Sequence, residues 1–284
     1  MIATHSRPVP APPVDHPVLR ALESRSTRAV MGILNITPDS FSDGGRFMAP
    51  ENALAQAQRM IAEGADLIDI GAESTRPYGA QPISAAQELQ RLQPILAAVV
   101  ALGTPVSIDS MKSEVVAWAL GLGALIANDV WGLQRDPDMA GVIARHTALV
   151  VVMHNRERAD PDIDVMEDMI AFFARSLEIA AQAGIPASHV VLDPGIGFGK
   201  TQEQSMTALA RLEQLRSFGL PILVGASRKK FISTVVPSEP DQRLGGSIAA
   251  HVLAARAGAR IIRTHDVSET LQALKVAAAI EDFR

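Results

Sequence analysis

Apolar and polar positions alternate along this chain in a pattern that recurs from residue 29 to the C-terminus. Short runs that are apolar at nearly every position, such as 29–36 (AVMGILNI) and 148–154 (ALVVVMH), are each followed by a longer amphipathic stretch. Such runs are typical of strands buried on both faces of a parallel sheet, and the amphipathic stretches are typical of helices that cover it. The predicted strands are 29–36, 66–71, 105–109, 124–129, 148–154, 189–193, 221–226 and 259–265. The predicted helices are 51–65, 84–102 with an irregularity near Pro94, 112–123, 136–146, 164–184, 201–219, a stretch within 241–258, and 268–283.

Eight strand-then-helix units in succession predict an α/β protein with a (β/α)8 TIM barrel. The units occupy 29–284, and a barrel of this kind typically has ~250 residues. A doubly wound open sheet is the alternative that the same alternation allows. No shift in composition divides these residues, so 29–284 is predicted to be one barrel domain. The Pro-rich residues 1–28 are predicted to be a loosely ordered N-terminal arm.

Polar or ionisable residues follow all eight predicted strands. In a parallel barrel the active site lies at the carboxyl ends of the strands, so we expect these side chains to converge on one rim. In chain order they are Asn35, Glu73 with Thr75 and Arg76, Asp109, Asn128 with Asp129, His154, Asp193, Ser227 with Arg228 and Lys229, and Arg263 with His265.

Three of these residues would form a floor of the predicted site that is rich in hydrogen-bond acceptors. Asp109, Asn128 and Asp193 end the third, fourth and sixth predicted strands. Together they suit a flat heterocycle that presents N–H and NH₂ side by side, as pterins and guanines do. The alternative for each residue alone is capping of the following helix.

A second group suggests an anion site. Arg263 and His265 lie at the end of the eighth predicted strand and Lys229 follows the seventh, a part of the rim where barrels often bind phosphate. An anion such as pyrophosphate usually comes with Mg²⁺, which keeps several of its waters. Asn35 is therefore sufficient as the single protein ligand of the metal.

Two loops on the same rim are predicted to matter for the site. The stretch that begins NITPDSFSDGG (35–45) exceeds the ~2–6 residues of ordinary strand-to-helix loops, which favours a lid over a plain surface turn. In DIGAESTRP (69–77), Arg76 is a fork donor suited to phosphate, or alternatively an ion-pair partner of Glu73.

The segment LDPGIGFGKT (192–201) ends like a nucleotide-binding loop but does not match one. The Walker pattern requires Gly where Pro194 stands, and the dinucleotide fingerprint requires Gly where Lys200 stands. Asp193 precedes the glycines, and a carboxylate there repels phosphate and suits a donor-rich ligand. Lys200 is expected to be a solvated residue at the start of the next helix.

Composition narrows the class of protein further. The net charge of −5 argues weakly against nucleic acid as the main partner. The absence of cysteine excludes disulfides, thiolate chemistry and Cys-ligated zinc. No apolar run approaches the ~18 residues of a membrane span, and 1–28 lacks the apolar core of a secretory signal. The cytoplasm is therefore the expected location.

Eight motifs together resemble the dihydropteroate synthases over about 30–270. They are MGILNITPDSFSDGG (31–45), DIGAESTRP (69–77), SIDSMK (107–112), NDVWG (128–132), VVMH (151–154), LDPGIGFGK (192–200), GASRK (225–229) and RTHDV (263–267). The resemblance implies a homodimeric (β/α)8 barrel that condenses 6-hydroxymethyl-7,8-dihydropterin pyrophosphate with p-aminobenzoate in folate biosynthesis. The products are 7,8-dihydropteroate and pyrophosphate. It also implies Mg²⁺ as cofactor and sulfonamides as inhibitors.

The resemblance implies a role for each candidate residue. Asp109, Asn128, Asp193 and Lys229 would hold the pterin. Asn35, Thr75, Arg76, Arg263 and His265 would hold the pyrophosphate, Asn35 through Mg²⁺. Thr75, Phe198 and Ser227 would border p-aminobenzoate, with Lys200 toward the same side. Asp109, Lys229, Arg263 and His265 would take part in catalysis, and the loops 36–50 and 72–83 would close over the site.

One departure and two alternatives remain open at this point. The family usually reads Arg-Pro-Gly-Ala in its second loop, whereas this chain has Tyr78 inserted in RPYGA, which bears on the affinity for p-aminobenzoate and sulfonamides. A pterin-binding methyltransferase-type domain shares the barrel but does not need the lid or the anion groups. A catalytically inactive, pterin-binding paralogue would keep the same residues.

Overall fold

Eight parallel strands form one closed sheet in the computed structural model, which describes residues 16–23, 27–36, 50–73 and 82–283. The strands are β1 (Ala29–Asn35), β2 (Leu67–Gly71), β3 (Val106–Asp109), β4 (Ile126–Asp129), β5 (Leu149–Met153), β6 (Val190–Asp193), β7 (Leu223–Val224) and β8 (Ile261–Thr264). Their order in the sheet is β6-β5-β4-β3-β2-β1-β8-β7. A parallel bridge between Leu192 and Ile222 joins the two ends of this series, so the predicted barrel is confirmed and the open sheet is not.

Helices follow the strands and cover the outside of the barrel. They are α1 (Pro17–Glu23), α2 (Pro50–Ala62), α3 (Ala85–Leu92), α4 (Leu96–Val100), α5 (Ser113–Gly121), α6 (Met139–Arg145), α7 (Val165–Gln182), α8 (Gln202–Ala210), α9 (Lys230–Val235), α10 (Leu244–Arg256) and α11 (Val267–Glu281). The predicted irregularity near Pro94 is the break between α3 and α4. The predicted helix 201–219 is α8 followed by a 3-10 helix, Leu212–Phe218. Helix α9 was not predicted, because six residues carry too little periodicity.

Helix α1 corrects the expectation that the N-terminal arm is loosely ordered throughout. Val18, Leu19 and Leu22 are buried, in one cluster with residues from the beginnings of the strands, such as Leu67 and Ile261. Arg260 also donates to the carbonyl oxygen of Leu22 at 2.6 Å. The apolar side of α1 therefore closes the amino-terminal end of the barrel, and the opposite end is left for function. Within the described residues, no helix is both long and apolar enough to cross a membrane.

Candidate active site

A cleft that is open to solvent lies at the carboxyl ends of the strands. Six of the predicted site residues line it, namely Asp109, Asn128, Asp193, Phe198, Lys229 and Arg263. The remaining lining residues are Val130, Met153, Gly195, Ile196 and Gly225. The expected convergence of strand-end polar residues on one rim therefore holds for five of these residues, and Phe198 joins them from the loop after β6.

Strand register fixes the polar floor of the cleft. Asp109 and Asn128 are register partners on β3 and β4, so their side chains lie next to each other. Asp193 ends β6, and its Oδ1 accepts a hydrogen bond from the backbone N–H of Gly195 at 2.7 Å. All three side chains are buried, with 3–6% of each residue exposed.

Arg263 connects the floor to a further buried carboxyl group, that of Asp69. Its Nε donates to Asp69 Oδ2 at 2.6 Å and its Nη2 donates to Asp109 Oδ2 at 2.9 Å. Asn128 Nδ2 donates to the same Asp69 oxygen at 3.1 Å. Charge-assisted bonds of this kind orient both partners. Arg263 therefore orients the carboxyl groups of Asp69 and Asp109 and, through Asp69, the amide of Asn128.

The sequence analysis missed Asp69. The residue is fully buried, and it lies within an apolar strand rather than at its end. An acid within an otherwise apolar strand is a usable signal, because a buried charge needs a partner. The sequence does not say that this partner is Arg263.

Two hydrogen-bond acceptors of the polar floor have no partner within this network. Asp109 Oδ1 and Asn128 Oδ1 are buried and have no hydrogen-bond partner among the described residues. Buried acceptors without partners are uncommon in native proteins. Two of them in the floor of one cleft indicate a ligand that brings N–H or O–H groups.

Burial alters the charge of the floor when the cleft is empty. The pKa of Asp109 is raised to about 7, first by burial and then by the charge of Asp69, against the opposing charge of Arg263. Burial also raises the pKa of Asp193 to about 6, against the Gly195 N–H and the charge of Arg263. A ligand that donates hydrogen bonds favours the carboxylate form of both residues.

Lys229 and Phe198 form the side of the cleft. The Nζ of Lys229 lies 4.0 Å from the centroid of the Phe198 ring, which is a cation–π contact. Phe198 belongs to the loop after β6 and Lys229 to the loop after β7, so this contact joins two neighbouring loops of the rim.

Ser227 and His265 form a pair beside the cleft and are not among its lining residues. Ser227 Oγ lies 2.9 Å from His265 Nδ1 and accepts the backbone N–H of His265 at 3.2 Å. The pKa of His265 is lowered to about 3 by burial, then by the charges of Arg263 and Arg228. His265 was predicted to belong to an anion site, and with this pKa its ring would serve such a site as a neutral hydrogen-bonding group.

Four further predicted residues, Asn35, Thr75, Arg76 and Tyr78, lie at or beyond the limits of the described structure. Asn35 is the half-buried last residue of β1 and the register partner of Gly71. Thr75, Arg76, Tyr78 and most of the two predicted lids lie outside the described residues. Within the described ranges, no group of three or more His, Asp or Glu side chains could hold a metal ion.

Lys200 corrects an expectation from the sequence. It was expected to be solvated at a helix start, whereas it is 3% exposed and bonded to carbonyl oxygens of the loop before it. Thr201 caps α8 instead, with its side chain accepting from the N–H of Gln204. Position at a helix start therefore did not determine the direction of the Lys200 side chain.

Comparisons with known proteins agree with this geometry. The profile of the family described as "Pterin binding enzyme" matches residues 31–265. The dihydropteroate synthase of Bacillus subtilis is 41% identical over 268 residues, which is 94% of this chain and 93% of that protein. The Xanthomonas albilineans dihydropteroate synthase, solved with 4-aminobenzoic acid, is 42% identical with a TM-score of 0.86, covering 90% of this chain and 93% of that one.

A third relative was solved with a different ligand. The dihydropteroate synthase of Thermus thermophilus, solved in complex with 6HMPPP, is 44% identical with a TM-score of 0.79, covering 89% of this chain and 94% of that one. Identity of this size over nearly the whole of each chain shows the family as well as the fold. The chain therefore belongs to the pterin-binding enzyme family, among its dihydropteroate synthases.

Proposed function

We propose that the protein condenses 6-hydroxymethyl-7,8-dihydropterin pyrophosphate with p-aminobenzoate to give 7,8-dihydropteroate and pyrophosphate, in the cytoplasm and as a step of folate biosynthesis. The observation that carries the proposal is the acceptor-rich floor. Two buried oxygens without partners, Asp109 Oδ1 and Asn128 Oδ1, line the same cleft as the Asp193 carboxyl group. A pterin ring brings the donors that these groups lack. The 4-aminobenzoic acid and 6HMPPP bound to the two relatives are the substrate types expected here.

Asp193 is the proposed acceptor for the amidine edge of the pterin. That edge presents N–H and NH₂ side by side, and a carboxylate accepts both. Asp109 and Asn128 would accept from the remaining donors of the ring, and Lys229 would border it. The buried Arg263 keeps Asp109 oriented, so the floor is in place before the ligand arrives.

The pyrophosphate is proposed to lie toward Arg263, His265 and Asn35, with Thr75 and Arg76 from the second loop. A neutral His265 donates a hydrogen bond to an anion, and binding of the anion would raise the pKa of the ring. Asn35, the last residue of β1, would supply an amide oxygen to Mg²⁺ carried with the pyrophosphate, an oxygen ligand of the kind that this ion takes. When bound, Mg²⁺ would offset the charge of the leaving pyrophosphate.

The reaction is proposed to begin with breakage of the bond between the pterin methylene carbon and the pyrophosphate oxygen. The carbon would become cationic and conjugated with the pterin, and the nearby Asp109 carboxylate would stabilise that charge. The amine of p-aminobenzoate, held near Phe198, Ser227 and Thr75, then attacks the carbon. The lids 36–50 and 72–83 would keep water from trapping the cation.

Product formation tests the proposed function directly. Purified protein is incubated with the pterin pyrophosphate, p-aminobenzoate and Mg²⁺, and dihydropteroate is followed by chromatography. We expect product that requires all three and that sulfonamides suppress competitively with p-aminobenzoate. Folded, pterin-binding protein that makes no product would favour the inactive paralogue. Methyl transfer to a corrinoid would favour the methyltransferase-type domain.

Proton release on pterin binding is expected below neutral pH and not above pH 8. In the empty cleft the pKa of Asp193 is about 6 and that of Asp109 about 7, and donors from the ring lower both values. Binding at pH 5.5 must therefore expel protons, and each of the two carboxyl groups should lower the affinity by up to about tenfold per pH unit below its free pKa. Calorimetry with 6-hydroxymethyl-7,8-dihydropterin, in two buffers of different ionisation enthalpy, measures this without titration of the pyrophosphate. Equal apparent enthalpies in the two buffers at pH 5.5 would contradict the release of protons from Asp193 and Asp109 on pterin binding.

We propose that the protein is a homodimer that associates through α10 and α11. Leu253 on α10 and Ile280 on α11 are 62% and 58% exposed. An ion pair between Arg256 and Glu281, with 3.2 Å between Nε and Oε1, joins the two helices close to them. Exposed apolar side chains that cluster in this way mark interaction surfaces.

The substitution Leu253→Glu is expected to dissociate this dimer. A carboxylate buried in an apolar interface without a partner should raise the dimer dissociation constant at least about tenfold, or about 1.4 kcal/mol. Sedimentation velocity at micromolar protein measures the change. Leu125→Glu is the matched control, since Leu125 is 43% exposed and lies immediately before β4, away from these helices. A Leu253→Glu protein that stays as dimeric as the control would place the interface elsewhere.

A further inference from the structure

The buried Lys200 ammonium joins two loops of the active-site rim. It donates to the carbonyl oxygens of Gly195 at 3.0 Å and Phe198 at 3.1 Å, both in the loop after β6. Its Nζ also lies 3.3 Å from the carbonyl oxygen of His154, directly after β5. Its fourth contact is His154 Nδ1 at 2.6 Å. None of the proposed catalytic steps uses this buried charge.

His154 is oriented to accept from Lys200. Its Nε2 lies 2.9 Å from Asp168 Oδ2 on α7, and a carboxylate there requires the proton on Nε2. The pKa of His154 is lowered to about 4, chiefly by burial, so the ring is neutral and Nδ1 keeps its lone pair. Asp168 is fixed in turn by Arg156, with Nη1 donating to Oδ1 at 2.8 Å. A chain of polar contacts thus runs from the half-buried Asp168 to the loop that carries Phe198.

The loop after β6 lies unusually close to the loop after β5. Gly195 and Gly199 have positive φ angles of 62° and 54°, which favour glycine. A Cβ atom on Gly195 would overlap the carbonyl oxygen of His154, and one on Gly199 would overlap the backbone of Arg156. The two loops therefore meet backbone to backbone, and buried carbonyl groups at such a contact require donors. Lys200 supplies donors to two of them, those of Gly195 and Phe198.

We infer that Lys200 is a positioning residue for the second substrate, and that it acts through the loop 195–199 to hold the Phe198 ring against Lys229. The His154–Asp168 pair assists it by presenting an acceptor nitrogen. This inference rests on the proposed function only for the identity of the second substrate, an aromatic amine beside Phe198. Asp193 belongs to β6 itself, so the pterin floor does not depend on Lys200 to the same degree.

Burial and the charges around Lys200 influence its pKa. Burial lowers its pKa to about 7, the carboxylates of Asp193 and Asp168 oppose this, and Lys229 and Arg156 add to it. The ammonium has three N–H donors and the neutral amine has two, so the ammonium is the form that can donate to Gly195, Phe198 and His154 Nδ1 together.

Lys200→Met tests the inference, because methionine keeps the apolar stem and removes every donor. Amide hydrogen exchange of peptides covering 194–200 is expected to speed up at least about tenfold, while peptides from β1 and β2 stay unchanged. In the product assay, the KM for p-aminobenzoate should rise at least about tenfold and kcat should fall less than about threefold, since the positioned ring binds the amine and does not react. The affinity for dihydropterin should stay within about threefold. Lys275→Met, an exposed lysine on α11, is the matched control.

Each outcome bears on the inference. Unchanged exchange and an unchanged KM would overturn it, as would equal losses of pterin and p-aminobenzoate affinity, which would mean general disruption. If Lys200→Met does not fold, Asp168→Asn takes its place, because it no longer fixes the Nε2 proton and should raise loop exchange and KM in the same direction, at least about threefold. No change in that folded variant overturns the inference as well. A wild-type protein without product would end the proposed function, and the exchange measurement would still decide the role of Lys200.

Discussion

Asp193→Asn is expected to weaken dihydropterin binding by about 2–5 kcal/mol, the typical loss when one partner of a buried, charged hydrogen-bonded pair is replaced. The amide would turn an NH₂ group toward the NH₂ and N–H of the pterin, so that donors face donors. The substitution should leave the fold intact, because the amide oxygen can still accept from the N–H of Gly195, as Asp193 Oδ1 does. Isothermal titration calorimetry at pH 8, where the wild-type carboxyl group is ionised, measures the loss.

A matched control separates this effect from the loss of one negative charge. Asp241→Asn changes the net charge equally at an exposed position, and we expect its affinity to equal that of the wild type. An Asp193→Asn protein that binds dihydropterin within about threefold of the control would show that Asp193 only orders its loop. The pterin would then have to be held by Asp109 and Asn128 alone.

Arg263→Met is expected to damage stability and activity together. Removal of the guanidinium leaves the Asp69 and Asp109 carboxyl groups buried without their cation, and breakage of a buried ion pair in this way costs about 3–5 kcal/mol. Activity should also fall by at least about 100-fold in kcat/KM, because the pyrophosphate loses its buried cation.

The pH dependence of this variant has a definite sign. Arg263 lowers the pKa of Asp109, so its removal raises that pKa further. A carboxyl group with a raised folded-state pKa destabilises the fold progressively as pH rises from its unfolded-state pKa to its folded-state pKa, so a further rise of the folded-state pKa extends the loss to higher pH. Urea unfolding should therefore show a larger loss of unfolding free energy, relative to the wild type, for Arg263→Met at pH 8 than at pH 5.5. Arg145→Met, at an exposed position in α6, is the control, and equal deficits at both pH values would contradict the assigned network.

The sequence was sufficient for the barrel and for most of the floor. Strands buried on both faces repeat a pattern that depends only on local burial, and the carboxyl ends of parallel strands share one rim. Asp109, Asn128 and Asp193 could therefore be brought together without coordinates. Helix α1 was not predicted, because the prolines in residues 1–28 suggested a loosely ordered segment along the whole stretch.

The missing parts depend on contacts that form only when the chain folds. Asp69 and Arg263 are 194 residues apart, and no local pattern connects them. Lys200 looked solvated because its sequence position is a helix start, whereas the acceptors that bury it come from 154 and 195–198. The neutral state of His265 likewise results from burial beside Arg263 and Arg228. Pairing and protonation of this kind follow from the closed fold.

A crystal structure of the protein with dihydropterin pyrophosphate tests the central claim most directly, since it shows which edge of the ring meets the floor. We expect the N–H and NH₂ of the amidine edge at hydrogen-bonding distance from the Asp193 carboxylate, about 2.7–3.2 Å. The pyrophosphate should lie on the side of Arg263 and His265. A ring bound in the reverse sense, or outside the cleft between Asp109, Asn128 and Asp193, would contradict the account.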